Sequence, residues 1–234
     1  MTQIKHIALK EFKDYFTSPI AYIVISIFLI ATGWFFFSTF FLYDRTSMRD
    51  FFLLLPTIFS FIIPAITMRL LSEEMNAGTY ETLLTMPVSF TDIAIGKYLG
   101  ATFFIVAMLI PTLLYPFTIS FLGDLDAGPV VGGYIGAVLL GSTYCAIGLF
   151  ASSLTRNQIV AFIIGTAICF ILTILNKLLF FIPEVFTSLV EYMGANSHFI
   201  NISKGVIDTR DIIYFASIIF ISIFGTYLAM KEKN

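Results

Sequence analysis

The sequence predicts an all-α polytopic membrane protein with six transmembrane helices. The first observation is composition: 58% of the 234 residues are hydrophobic and only 12% are charged, whereas a soluble domain carries about 25% charged residues. The second is that the apolar residues fall in long runs, each about 18–25 residues, which suits a hydrocarbon core of about 30 Å. The net charge of −2 gives no reason to expect nucleic acid binding.

The predicted spans form one transmembrane domain over residues 1–234. They are 20–42, 51–68, 98–122, 129–153, 159–182 and 212–229. Pro111 and Pro116 predict a kink or break in the third span, because proline lacks the amide that an interior helical turn needs. No internal repeat is visible in the sequence.

The distribution of lysine and arginine predicts the orientation. An arrangement with both termini cytoplasmic places eight of these residues inside and five outside, which the positive-inside rule favours. The polar 69–97 segment is then cytoplasmic and the 183–211 segment lies on the outer face.

The N-terminal stretch 1–19 predicts an amphipathic helix. One face carries Ile4, Ile7, Ala8, Phe12 and Tyr15, and lysines lie opposite. A basic helix of this kind lies in the membrane interface. A solvated lead-in to the first span is the alternative.

The 69–97 segment is the long polar interruption between the second and third spans. Gly78 permits a turn, Thr79 is a good N-cap, and Pro87 ends the short helix between them, with Tyr80, Leu83 and Leu84 on one face. Ser89, followed by Asp92, predicts the N-cap of the next helix. An ordinary cytoplasmic loop with a helical kink is the other interpretation.

The fourth span and the outer segment carry two further patterns. Small residues at close spacing let helices approach one another, and they predict either packing within the chain or a dimer face; the glycines concerned are Gly128, Gly132, Gly136 and Gly141. In the outer segment 183–211, Phe186, Leu189, Val190 and Met193 suggest an amphipathic helix at or in the outer leaflet, and Asp208 or Thr209, with Asp211, caps the sixth span.

No catalytic, cofactor-binding or metal-binding set is predicted. Cys145 and Cys169 lie in apolar runs and are expected to be small core residues, while His6 and His198 stand alone in the sequence. Lys177 is near the outer end of its span, where its amine can reach water. We therefore expect any energy for transport to arrive from a partner that grips the 69–97 segment.

The stretch EEMNAGTYETLLTMPVSFTDIAIGKYLGA resembles the signature of ABC-2-type transporter permeases. The matching positions are Glu73, Glu74, Gly78, Thr79, Glu81, Leu83, Leu84, Pro87, Gly96 and Lys97. More narrowly, residues 10–23 and 198–215 resemble the gliding-motility-associated (GldF-like) permease subunits.

The resemblance implies a bacterial inner-membrane permease of an exporter with an interfacial N-terminal helix and a short cytoplasmic coupling helix. That helix would sit on a separate ATPase subunit, which holds ATP and Mg²⁺, with Tyr80, Leu83 and Leu84 as its packing surface and Glu73, Glu74 and Glu81 fixing the connection to the second span. It also implies a second permease copy or paralogue and, in the gliding-motility branch, an auxiliary membrane protein. A non-transporting scaffold for a motor or secretion assembly is the alternative. An intramembrane enzyme is disfavoured because no catalytic set is found.

Overall fold

The computed structural model is built of helices, and it describes residues 2–43, 47–79, 88–121, 123, 125–178, 183–206 and 208–233. No strand occurs in these ranges. The helices are α1 (Thr2–Thr17), α2 (Pro19–Tyr43), α3 (Arg49–Thr67), α4 (Arg69–Ala77), α5 (Phe90–Leu109), α6 (Leu114–Ser120), α7 (Ala127–Leu154), α8 (Gln158–Leu178), α9 (Glu184–Met193), α10 (Ala195–Ser203) and α11 (Thr209–Glu232).

Six helical stretches in the described part of the chain are long and apolar enough to cross a bilayer, which confirms the predicted fold class. Their positions agree with the six predicted spans to within a few residues, except at the start of the third, where the helix begins at Phe90 and not at residue 98, and at the end of the second. There the prediction stopped at residue 68, but helical structure resumes at Arg69 and continues to Ala77. The prediction missed this extension because it was based on hydropathy, and the residues of α4 are largely polar.

The third span is broken, as its prolines predicted. Between α5 and α6 the residues Ile110–Leu113 form a single 3-10 turn with Pro111 at its start. The Thr112 hydroxyl donates to the Leu109 carbonyl oxygen at 2.7 Å and so uses an acceptor near the break. The span can change direction here without leaving this carbonyl unpaired.

The fourth span, α7, is more buried than the other five membrane-length helices in the described residues. Its small residues let neighbours approach closely: the Phe52 ring of α3 fills the space beside Gly133, and Thr67 fills the space beside Gly148. Since glycine has no Cβ, these two contacts put α3 directly on the α7 backbone.

The glycine row that we singled out makes contacts within the chain. Gly132 and Gly136 face α10 through Ile202 and Phe199, and Gly141 faces Ile105 of α5. Gly128 lies beside Gly205, whose φ of 87° is left-handed. A dimer face on this row stays a prediction.

The bundle has two ends, which we name by their elements. The near end carries α1, α4, the beginning of α5 and the last turns of α7 and α11; the distal end carries α9, α10 and the first turns of α7 and α11. Where one outer helix was predicted there are two, α9 and α10, because Gly194 is extended and the Asn176 amide fills the place of a side chain there. The predicted caps are confirmed at Ser89, which accepts from the Asp92 amide, and at Asp208, which accepts from the Arg210 amide.

Candidate functional site

The predicted coupling residues lie on and beyond α4, at the near end. Gly78 ends this helix in the left-handed conformation, with φ 73° and ψ 1°, as the prediction of a turn required. The Thr79 hydroxyl donates to the Glu74 carbonyl oxygen at 3.3 Å, so it caps the end of α4. The remaining predicted residues fall outside the described part of the chain: Tyr80, Glu81, Leu83, Leu84 and Pro87.

The two adjacent glutamates have different surroundings. Glu73 accepts a hydrogen bond from the Arg69 guanidinium one turn earlier at 2.9 Å, and its side chain is 47% exposed. Glu74 points into the protein and lies 2.7 Å from the Lys97 ammonium of α5. An exposed pair within one helix contributes little stability, so Glu74 is the glutamate that fastens α4 to another element.

Lys97 is the centre of a buried ionic cluster that joins three helices. Its side chain is only 2% exposed, and its ammonium also lies 2.6 Å from the Glu11 carboxylate of α1. We call Glu11, Glu74 and Lys97 the Lys97 cluster. Glu74 precedes the undescribed residues 80–87 and Lys97 follows them, so the pair ties together the two helices that flank this stretch.

The Lys97 cluster holds more acid than base. Two carboxylates share one ammonium, and Oε2 of Glu74 is buried without a hydrogen-bond partner among the described residues. Removing one member of a buried ion pair costs far more than removing a surface pair. Loss of Lys97 should therefore destabilise the cluster more than loss of either glutamate.

Two glycines of α5 bring α1 close enough for this contact. A Cβ at Gly96 would lie 2.7 Å from the Ile7 side chain, and one at Gly100 would lie 2.6 Å from Cβ of Glu11. The predicted apolar face of α1 thus packs on α5, and Glu11 is carried on that same face. Whether α1 also rests in a membrane interface stays a prediction.

Tyr15 continues this packing surface at the end of α1. Its ring stacks on Phe104 with centroids 4.7 Å apart, and its hydroxyl donates to the Ile66 carbonyl oxygen of α3 at 3.4 Å. Burial raises the pKa of the Tyr15 hydroxyl well above its usual range. The side chain is therefore a neutral hydrogen-bond donor that links α1 to α3.

The joint between α3 and α4 is held by the fourth span. The Ser152 hydroxyl of α7 accepts from the amides of Leu71 and Ser72, each at 3.0 Å, and donates to the Met68 carbonyl oxygen at 2.8 Å. Free amides in the first turn of a helix need such acceptors. A side chain of another helix, Ser152 of α7, thus satisfies the amides at the beginning of α4.

The C-terminal end of α11 also reaches the near end. The Lys233 ammonium donates to the Ser153 carbonyl oxygen at 2.7 Å, at the last turn of α7. Burial, followed by the nearby Arg156, lowers the pKa of Lys233. This contact places a cation against a helix C-terminus, where the helix dipole is negative.

A groove of about 400 Å³ opens between α1, α4 and the beginning of α5. Its lining includes charged residues of both signs, among them Lys10, Glu11, Asp14, Arg69, Glu73 and Lys97. It lies beside the Lys97 cluster. No group of three or more potential metal-ligating side chains occurs in the described residues. Cys145 and Cys169 are buried free thiols, in agreement with their prediction as small core residues.

Sequence reasoning missed Glu11 and Ser152 as parts of this site. A signal for Glu11 was available: it follows the spacing of Ile4, Ile7 and Ala8, and an acid on an apolar face needs a buried basic partner. No comparable signal marks Ser152, because serines in membrane helices commonly bond their own backbone.

The fold and this site define a multi-pass membrane protein whose polar near end is built on a three-helix ionic cluster. The family model described as "ABC-2 family transporter protein" matches residues 6–192, well over half of the sequence. The chain belongs to the ABC-2 transporter family. As a member it is a membrane component and not a catalytic one, and membership implies an ABC ATPase partner. A search of curated proteins found no match.

Proposed function

We propose that the chain is the permease subunit of an ATP-driven ABC-2 exporter and that it converts ATP hydrolysis on a separate subunit into helix movement. The observation that carries this proposal is the pairing of Lys97 with Glu74 and Glu11, which fastens α4 and α5, the helices before and after residues 80–87 in the sequence, to each other and to α1. A force applied to that stretch reaches three helices at once.

The path continues into the middle of the bundle. Ser152 holds the first turn of α4, and Gly148, one turn earlier on α7, receives Thr67 at the end of α3. Since α7 is the most buried of the membrane-length helices in the described ranges, movement of α4 acts on the helix that most of the others pack against. This supports a role for α4 in transmitting movement from the partner subunit to the helix bundle.

The partner side of the proposal rests on the family. In this proposal the 69–97 segment couples the permease to the ATPase subunit, Tyr80, Leu83 and Leu84 contact that subunit, and ATP and Mg²⁺ bind to it. The near end and both termini are then cytoplasmic in a bacterial inner membrane, in agreement with the lysine and arginine distribution. A second permease copy or paralogue completes the pathway.

The narrower resemblance over residues 10–23 and 198–215 supports a place in a gliding-motility-type system. An auxiliary membrane protein would then accompany the permease.

A first experiment tests the docking surface. The tagged chain is purified from its native cells in mild detergent, and the eluate is analysed by mass spectrometry and for ATP hydrolysis. We expect an ABC ATPase to co-purify, and we expect the triple variant Tyr80→Asp, Leu83→Asp, Leu84→Asp to lose it. Val206→Asp is the control, because Val206 is 65% exposed at the distal end. Retention of the ATPase by the triple variant would refute the proposed docking surface.

A second candidate function is a non-transporting anchor for a motor or secretion assembly. The firm attachment of α4 to three neighbouring helices favours it, because an anchor needs a rigid base. Reconstitution of the complex in vesicles separates the two functions. ATP-dependent movement of any substrate supports the exporter, while ATP hydrolysis that a bound partner assembly stimulates without such movement supports the anchor.

A further inference from the structure

At the distal end, His198 and Asp211 form a second buried polar pair. Nδ1 of His198 in α10 lies 2.6 Å from Oδ1 of Asp211 in α11, and the two side chains are 7% and 5% exposed. Nε2 of the same ring lies 2.9 Å from the Tyr192 carbonyl oxygen, in the last turn of α9. One imidazole therefore joins three helices.

The geometry fixes the number of protons that the pair must hold. A carbonyl oxygen only accepts, so Nε2 must carry a proton. The contact between Nδ1 and Oδ1 needs a second proton, on either the ring or the carboxyl group. With a single proton shared between His198 and Asp211, a lone pair on one ring nitrogen would face an oxygen acceptor.

The groups around the pair offer it few other hydrogen-bond partners. The ring stacks on Tyr214 with centroids 4.0 Å apart, and the Tyr214 hydroxyl donates to the Met193 carbonyl oxygen at 2.6 Å. Oδ2 of Asp211 is buried without a hydrogen-bond partner among the described residues. A buried carboxylate oxygen without a partner is costly, so the contact through Oδ1 carries the interaction.

Other titratable groups near the ring are two phenols, Tyr192 of α9 and Tyr214 of α11. α7 faces α10 through Gly132 and Gly136, which are uncharged. Described charged side chains on and beside the packed elements are exposed and do not enter the pair; they are Arg49, Asp50, Asp126, Lys177, Glu191, Lys204, Asp208 and Arg210.

We propose that His198 and Asp211 form a proton-dependent clasp that holds α9 and α10 on the beginning of α11. The closed state needs two protons on the pair. Once exposed to water at alkaline pH, a histidine and an aspartate together hold only one. Raising the pH therefore favours release of α9 and α10, and lowering it to mildly acidic values keeps the clasp closed. This clasp is independent of the proposed function.

The small number of histidines allows the protonation of His198 to be observed directly. It contains two histidines, so the exposed His6 can be changed to glutamine to leave His198 as the single imidazole. The His6→Gln protein, labelled with ¹⁵N-histidine and reconstituted in nanodiscs, is titrated by NMR from mildly acidic to alkaline pH. Hydrogen exchange of residues 184–206 is followed over the same range.

We expect a proton on Nε2 while the clasp is closed. As the pair loses one proton, protection of residues 184–206 should fall roughly tenfold or more, the effect of losing one buried charged hydrogen bond. In His198→Gln the pH dependence should disappear. In Asp211→Asn the side-chain amide can donate to Nδ1 in place of the second proton, so protection should stay high and lose its pH dependence.

Two results would overturn the proposal. One is protection of residues 184–206 that stays constant while the ring changes its protonation. The other is a pair that keeps the same protons over the whole pH range. Protection of α1 serves as an internal control, because α1 lies at the near end and does not contact the clasp.

Discussion

The Lys97 ammonium lies 2.6 Å from the Glu11 carboxylate, although 86 positions separate the two residues in the sequence. The same ammonium lies 2.7 Å from Glu74. Lys97 lies two turns into the membrane-length helix α5, yet its side chain is buried between two acids and does not reach water. The near end is thus organised by one lysine that three helices share.

Replacing Lys97 by methionine should strongly destabilise the protein. The substitution keeps the side-chain length but leaves two carboxylates facing each other in a buried site, and we expect a loss of about 3–5 kcal/mol in unfolding free energy. Chemical unfolding in detergent, followed by circular dichroism, measures this loss.

The matched control neutralises the acids as well. In the triple variant Lys97→Met, Glu11→Gln, Glu74→Gln no charge remains in the Lys97 cluster, so much of the lost stability should return. If Lys97→Met alone were as stable as the parent protein, the cluster would not be what holds α1 and α4 on α5.

Much of the fold was predictable because it depends on local chemistry. Apolar runs predicted the six spans, Pro111 predicted the break in the third, and Gly78 predicted the turn after α4. The caps at Ser89 and Asp208 follow from side chains that bond amides two or three residues away. Each of these features is decided within one helix or one turn.

The contacts that organise the two ends were not predictable in the same way. Glu11 meets Lys97, and His198 meets Asp211, only after several helices have packed. The Ser152 hydroxyl accepts hydrogen bonds from amides that lie about 80 positions earlier in the chain. Without tertiary contacts, His198 was an isolated histidine, and the sequence contained nothing to pair it with Asp211.

Substitution of Gly100 by valine should push α1 away from α5. A Cβ at this position would lie 2.6 Å from Cβ of Glu11, closer than real contacts permit, and 3.1 Å from the Ala8 carbonyl oxygen, which is a tight contact. Hydrogen exchange of residues 2–17 should accelerate. Gly128→Ala is the control, because the nearest atom to a Cβ there is 3.5 Å away, on Asp126. Unchanged exchange in Gly100→Val would show that α1 does not depend on this close approach.

Ser152→Ala should weaken the joint between α3 and α4. The change removes three hydrogen bonds, to the amides of Leu71 and Ser72 and to the Met68 carbonyl oxygen. We expect a loss of roughly 1–3 kcal/mol in unfolding free energy and faster exchange of the α4 amides. Ser153→Ala is the matched control, since the Ser153 hydroxyl bonds only the Phe150 carbonyl oxygen of its own helix in the described residues. Equal effects of the two variants would contradict a special role for Ser152.

Asp208 should make the first turn of α11 sensitive to acid. The Arg210 amide donates to Oδ1 of Asp208 at 3.0 Å, and this hydrogen bond lowers the pKa of the carboxyl group. The cap therefore contributes stability above the usual aspartate pKa of about 3.9, and the contribution is lost as the pH falls through the lowered value. Exchange of residues 209–213 should accelerate over that acidic range. In Asp208→Asn the pH dependence should vanish while the cap remains; persistence of the dependence would assign it to another group.

Gly78 should control the connection between α4 and the segment that follows it. Its φ of 73° is left-handed, and no atom of the described residues lies within 4 Å of the place that a Cβ would take, so the cost of a substitution there is conformational and not steric. Gly78→Val should cost about 1–2 kcal/mol in this conformation and redirect residues 79–87. ATP hydrolysis by the co-purified ATPase subunit should then lose its dependence on the permease, while the membrane-length helices stay folded.

Asparagine is the matched substitution at the same position, because it tolerates the left-handed conformation better than other residues with a side chain. Gly78→Asn should keep the permease-dependent ATP hydrolysis close to that of the parent protein. If valine and asparagine behaved alike, the left-handed turn would not determine how the segment is presented. If both variants retained full permease-dependent ATP hydrolysis, movement would not be transmitted through α4, and this would contradict the route that we propose for the exporter.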